Sequence, residues 1–182
     1  MGADRRHVAL LRGVNVGGAN RLAMADIRAL FADAGAADIE TYIQSGNVVF
    51  SASLSEAQSI GSRVVEGLAN RFKIRSPVVL RDAAAWRALV IGNPFLNEGA
   101  DADTLHAICL DARPNQIAAA SLDPDRSPDD SFRLVGADIY LRLANGVART
   151  KLTNAWFDSC LGVVSTGRNW RTVLRLEEML GA

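Results

Sequence analysis

The residues of this sequence equipped for chemistry fall in four short stretches. Arg12-Gly-Val-Asn-Val-Gly-Gly-Ala-Asn20 sets a cation, two asparagines and three glycines between an apolar run and a helical pattern. At a strand-to-helix junction the first helical amides point outward and glycine lets an anion approach, so Arg12, Asn15, Gly17, Gly18 and Asn20 are candidate contacts. The spacing is neither G-x-G-x-x-G nor G-x-x-x-x-G-K-[ST], and neither dinucleotide nor P-loop binding follows from it. Gln44-Ser45-Gly-Asn47 adds three side chains able to orient a ligand by specific hydrogen bonds. Gly146 to Asn154 carries Arg149, Thr150 and Lys151 at an expected helix start, where a cation is unfavourable unless an anion sits beside it, which makes Lys151 and Asn154 candidates. Its likeness to a Walker loop stops at the missing glycine before the lysine. Thr166-Gly-Arg168-Asn169-Trp170-Arg places an arginine near a tryptophan, a pairing that stacks on bases or grips phosphate in bidentate fashion.

Each stretch also has a structural reading. The glycines of the first serve a sharp loop, and Lys151 is a solvated residue behind Thr150 as N-cap. Trp170 anchors the last helix, Asn169 caps it, and Arg168 is paired internally. The residues alone leave both sets of readings open. Signals for a nucleophile or an acid–base pair are weak. His7 and His106 stand at strand starts with no Ser, Cys or Asp at telling spacing and read as structural. Cys109 and Cys160 sit in apolar company without metal-binding spacing, as buried reduced thiols do. The acidic run from Glu98 to Asp103 lacks the Asp-x-Asp-x-Asp-Gly pattern of a calcium loop. Catalytic residues and cofactor both stay unknown at this level, and no metal site is indicated.

Positioning these stretches falls to a regular succession of elements. Val8 to Leu11 is a continuous apolar run, the mark of a strand buried on both faces. Met24, Ile27, Leu30, Phe31 and Ala34 recur at helical spacing, with Gly35 where a left-handed cap belongs. Ile39, Thr41 and Ile43 alternate with polar residues as a half-wet strand, Ser45-Gly46-Asn47 is a turn, and Val48 to Phe50 returns. Ser53 and Glu56 form a capping box ahead of Ile60, Val64, Leu68 and Phe72, the clearest helix in the chain. Pro77 to Leu80 is a strand with proline at its first position, followed by a short helix over 83–90. The order β-α-β-β-α-β is the split βαβ or ferredoxin-like unit. Residues 92–104 are rich in turn formers and acids and mark the boundary.

Beyond it come a strand over 105–110, a helix over 114–120, a polar loop over 123–130 and a hairpin of 132–135 with 139–143. A helix over 151–161, a short strand over 163–165 and a helix over 170–180 end the chain. The second half repeats the first in element order. The fold expected is α+β, two ferredoxin-like (βαββαβ) lobes with a C-terminal helix: 1–91, a linker over 92–104, and 105–182.

The chain of 182 residues and 19.5 kDa carries equal numbers of acids and bases and a pI near 6.7, which argues against a general nucleic-acid binder. Charge is uneven, however: residues 92–138 hold nine acids against three bases, and residues 149–175 hold five bases against Asp158 alone. A local basic face is compatible with that distribution. Lysine occurs only at Lys73 and Lys151, so arginine supplies most positive charge. The start, Met1 to Arg6, is followed by too few apolar residues for a signal peptide, Gly2 lacks the hydroxyl partner for myristoylation because Arg6 stands in its place, and no apolar run approaches a membrane span. A cytoplasmic protein is expected.

Taken together, Leu10-Leu-Arg-Gly-Val-Asn-Val-Gly-Gly, Thr41-Tyr-Ile-Gln-Ser-Gly-Asn-Val-Val-Phe, Thr150-Lys-Leu-Thr-Asn and Thr166-Gly-Arg-Asn-Trp-Arg-Thr-Val resemble the bacterial family called domain of unknown function 1697. The resemblance runs from about Val8 to Leu180, with Thr150 in place of a serine and Gly167 in place of a hydroxyl residue. It implies a small cytosolic protein of two ferredoxin-like lobes and supplies no activity. From the residues, the expected function is binding of a small anionic, phosphate-bearing ligand between the lobes. The alternative is a non-enzymatic module whose basic C-terminal segment meets RNA or an acidic protein.

Overall fold

The computed structural model describes residues 5–18 and 20–181; the expectations that touch Met1 to Asp4 lie outside them, as does Ala19 of the glycine loop. The class is α+β, with two four-stranded antiparallel sheets, and the chain divides into two compact units, Met1–Ala88 with Leu176–Ala182, and Leu89–Arg175.

In the first unit the apolar runs become strands and the 3.6-residue patterns become helices. The order is β1 (Arg5–Leu11), α1 (Met24–Asp33), β2 (Ala37–Tyr42), β3 (Asn47–Ala52), α2 (Leu54–Phe72), β4 (Val78–Asp82) and α3 (Ala83–Ile91). The strands lie in the order β2-β3-β1-β4, each antiparallel to its neighbour. β1 and β3 are central, and all six residues of β3 are buried. On one face Ala9, Leu11, Val48, Phe50 and Ala52 meet Ile27, Leu30 and Phe31 of α1 and Ile60, Val64 and Leu68 of α2 in a single core. The intervening Val8, Leu10 and Val49 are buried too, so both faces of the central strands leave water. β2 is an edge strand with one extra residue between Ala37 and Glu40, where Asp38 adopts a φ of 46°. The Arg6 guanidinium holds that bulge by donating to the Asp38 carbonyl (2.8 Å) and pairing with Glu40.

Two local details differ from the sequence reading. The turn covers residues 43–46, and Asn47 already belongs to β3. The Ser53–Glu56 box closes side chain to side chain, with no bond from the Ser53 side chain to a helical amide.

In the second unit α4 (Pro94–Asn97), β5 (Leu105–Leu110), α5 (Gln116–Ala120), β6 (Ser131–Val135), β7 (Asp138–Arg142), α6 (Asn154–Leu161) and β8 (Ser165–Asn169) lead into α7 (Trp170–Met179). The sheet order β6-β7-β5-β8 reproduces that of the first unit. Ile108, Leu110, Ile139 and Leu141 on one face pack with Leu122, Leu152, Phe157 and Leu161. Residues 92–104, expected as a linker, hold α4, capped by Asn93, and a 3₁₀ turn capped by Asp101.

Two boundaries shift in ways that matter for the site. α6 starts at Asn154, with Thr153 rather than Thr150 as its cap (Thr153 Oγ1 accepts from Trp156 N), so Lys151 lies ahead of the helix, not in its first turn. β8 covers 165–169, not 163–165, so Thr166, Gly167, Arg168 and Asn169 lie along a strand and face alternate sides.

Candidate functional site

Two concave regions contain sequence-nominated residues, one in each unit. In the first unit the segment between β1 and α1 folds back on the turn at 43–46. Asn15 is the clamp. Its Nδ2 donates to the carbonyls of Leu22 and Gln44, both at 2.8 Å, and its Oδ1 accepts from Leu22 N at 2.8 Å. Asn20 closes the other side through Asn15 N to its carbonyl (3.1 Å) and its own Nδ2 to the Gly13 carbonyl (3.0 Å). Both asparagines sit at positive φ, a conformation this residue tolerates better than most. Their polar groups hold the loop, with Asn15 also at the border of the pocket beside it.

Asn47 is spent in the same way: it is fully buried, and its Nδ2 donates to the Tyr42 carbonyl (3.1 Å) and to Ser45 Oγ (3.0 Å). Gly46 has a φ of 73°, and a Cβ there would lie 2.8 Å from Leu11 Cβ and 3.0 Å from the Leu11 carbonyl oxygen. The turn therefore presses on the end of β1, and Leu11 N donates to the Gly46 carbonyl at 2.8 Å. Arg12 is tied by its backbone to the start of β4, through Pro77 and the Ser76 hydroxyl.

The loop leaves open a pocket of about 550 Å³ lined by Asn15, Gly18, Arg21, Leu22, Ala23 and Gln44. Ala23 is the N-cap of α1 and offers no side-chain acceptor; its carbonyl already takes the Asp26 amide (3.0 Å), so the side-chain partner is missing for the Met24 and Ala25 amides ahead of it. Arg21 is exposed, and its guanidinium has no hydrogen-bond or ion-pair partner among the described residues. Asp26 stands in the first turn and offsets part of the helix field. Arg21 was missed in the sequence, although a cation just ahead of an uncapped helix start was a usable signal.

In the second unit a pocket of about 400 Å³ is lined by His106, Thr150, Thr153, Asn154, Gly167, Arg168 and Asn169 over Ile108, Leu141, Leu143, Val147 and Leu152. Strand register decides which side chains enter it. Leu141, His106 and Asn169 stand abreast on β7, β5 and β8, and Ile108 pairs with Gly167 on the next row of the same face. Arg168 pairs with Ala107 and therefore projects to the opposite face, where its Nη1 donates to Thr166 Oγ1 (2.9 Å) and to the Gly167 carbonyl (2.7 Å). Burial there pushes its pKa down to about 10, against a smaller opposing effect of Cys109.

Of the two cations expected to hold an anion, Arg168 borders this pocket but turns its guanidinium to the opposite face, and Lys151 is exposed and does not line it. Trp170 is buried, 6.5 Å from the Tyr140 ring, and presents no face to a base. Asn169 caps α7 (Oδ1 accepts from Thr172 N, 2.8 Å), and Arg171 pairs with Asp103 at 3.3 Å in solvent. The basic stretch 149–175 thus places its cations in different settings. His106, Thr150 and Thr153 are lining residues that the sequence gave no reason to join.

The family described as "Protein of unknown function (DUF1697)" matches over residues 5–140, a span that includes the glycine loop and ends before Thr150 and Thr166. A solved structure of a conserved bacterial protein from Streptococcus pneumoniae is 23% identical, covers 99% of this chain and 100% of its own, and superposes with a TM-score of 0.73. That likeness establishes a shared fold. No curated protein matches the chain. Among the described residues no helix is long and apolar enough to cross a membrane, and no group of three or more His, Cys, Asp or Glu is placed to hold a metal.

Proposed function

We propose, for this chain, which belongs to the family described as Protein of unknown function (DUF1697), that the glycine loop of the first unit binds a small phosphate-bearing metabolite. Membership brings no activity with it, so the reading rests on the chemistry of the loop. The observation that carries it is the alanine-capped start of α1, opening on a pocket bordered by Arg21, Gly18 and Gln44. Helix N-terminal amides with no side-chain acceptor favour an anion, and an arginine at the rim supplies full charge and a planar fork of donors. The Gln44 side chain has no partner among the described residues and is available to a second oxygen. None of the lining residues is a carboxylate, histidine, cysteine or hydroxyl residue, so the proposed role is binding rather than turnover.

We further read each unit as a ferredoxin-like lobe and the second as a repeat of the first. The shared sheet order after a shared element succession supports this. Cys109 and Cys160, neither of them in a disulfide, support a reducing, cytoplasmic setting.

The test is a titration of the full chain with sodium phosphate and pyrophosphate, followed by amide resonances at constant ionic strength. Saturable shifts confined to residues 13–25 and 44, weakened roughly tenfold in Arg21→Ala, are the expected result. Shifts that chloride reproduces, or no saturation, overturn it.

A further inference from the structure

The pocket of the second unit is a different kind of site. We propose that it binds a small uncharged planar heterocycle, whose lactam or amidine edge pairs with the Asn154 carboxamide while its face lies on Ile108 and Leu141.

Three observations carry this. The first is the hollow itself, which Gly167 of β8 helps to line. A Cβ there would stand 3.4 Å from Ile108 Cγ1 and 3.5 Å from Asn154 Oδ1, ordinary contact distances, so the Asn154 carboxamide lies close beside this glycine at the pocket wall. Ile108, Leu141, Leu143 and Leu152 around it make the floor apolar.

The second is charge. No lining residue is acidic, Lys151 is outside, and Arg168, though it borders the pocket, sends its side chain toward the other face of the sheet by strand register. An ion in this pocket would lose hydration without a counter-charge. His106, whose basicity burial lowers against the opposing Thr104 carbonyl, keeps the wall neutral near pH 7.

The third is the hydrogen-bond inventory. Asn154 side-chain atoms have no partner among the described residues. A free carboxamide offers an adjacent donor and acceptor, the complement of a ring edge that carries both. Asn169 spends its Oδ1 on the α7 cap, which leaves Nδ2 to donate. Thr150 and Thr153 accept from Leu152 N and Trp156 N and keep their hydroxyl protons.

Calorimetric titration of the full chain with hypoxanthine and uracil, which carry lactam edges, and with benzoate, a planar anion of similar size, tests the proposal. At least one lactam probe is expected to bind at one site, with benzoate roughly tenfold weaker or absent. Asn154→Ala and Gly167→Val should each weaken binding by at least about tenfold, with the unfolding transition of each variant recorded to show that it folds. Asn154 is the half-buried first residue of α6, where alanine suits the helix, so that variant decides the matter if Gly167→Val is poorly folded. Binding that survives Asn154→Ala, benzoate binding as tight as the lactams, or no lactam binding below about 1 mM overturns the assignment. Arg21→Ala leaves this binding unchanged, which separates its outcome from that of the phosphate site.

Discussion

Ala23→Asp is the sharpest perturbation of the anion site, because stability and binding should move in opposite directions. Ala23 already has the extended backbone of an N-cap (φ −69°, ψ 145°) and is exposed, so a longer side chain needs no rearrangement. An aspartate carboxylate there accepts from the Ala25 amide, competes for the Asp26 amide that now donates to the Ala23 carbonyl, and faces the positive end of α1. Replacing alanine by a capping acid stabilises by about 1 kcal/mol. For a chain of this size that raises Tm by about 2–4 °C. The same carboxylate fills the place proposed for the ligand anion. Two like charges 4 Å apart repel by about 4 kcal/mol at an effective dielectric near 20. Half of that, after salt screening, is more than a tenfold loss of affinity. Ala23→Ser is the companion variant: it caps without charge, so stability rises while phosphate affinity falls less. Thermal unfolding and phosphate titration of the three chains give the answer. An Ala23→Asp chain that is more stable yet binds phosphate as before would refute the reasoning. One that gains no stability would show the first amides of α1 to be satisfied already.

Three further outcomes are expected. Gly46→Ala combines a left-handed backbone with a Cβ 2.8 Å from Leu11 Cβ, and should cost about 2–4 kcal/mol by urea unfolding. Tyr140→Phe removes the donor to the buried Leu89 carbonyl (3.0 Å) and should cost about 1–2 kcal/mol in the same assay; in the parent, burial first and then Asp138 and Cys109 hold the Tyr140 phenol protonated well above the usual tyrosine range. Glu56 has its pKa lowered below 4.5, first by the Ser53 hydroxyl. Because the folded value is depressed, its stabilisation is present above 4.5 and lost as pH falls through the folded value. The difference in urea midpoint between parent and Glu56→Gln should therefore be present at pH 7 and vanish in acid.

Much of the architecture was legible because pattern and chemistry agreed locally. Ile60, Val64, Leu68 and Phe72 fixed α2, and Val8 to Leu11 announced a doubly buried strand. The start of α6 was misread because two threonines three residues apart both offered caps. The deciding signal is apolar: with Thr153 as cap, Leu152 and Phe157 fall at the staple positions, and both are in the core. Arg168 shows a different limit. Its position in the pocket depended on whether 166–169 was a loop or a strand, and only pairing with β5 settles that. Glycine and arginine give strand propensity no purchase there. Asn15 and Asn47 show a third. A polar side chain beside a glycine looks available in sequence, and the bonds that consume it come from residues up to 29 positions away.

The bulge in β2 has a consequence for life in a crowded solution. β2 is the outer strand of its sheet, and an outer strand with a regular row of free amides and carbonyls is a template for another chain. The extra residue between Ala37 and Glu40 breaks that row, Asp38 turns its backbone into the left-handed region, and Arg6 engages the Asp38 carbonyl. A second copy arriving in register would find the ladder interrupted and a charged pair across its path. The edge that leads into the turn at 43–46 is thereby kept from seeding fibrous assembly while the central strands supply the stability.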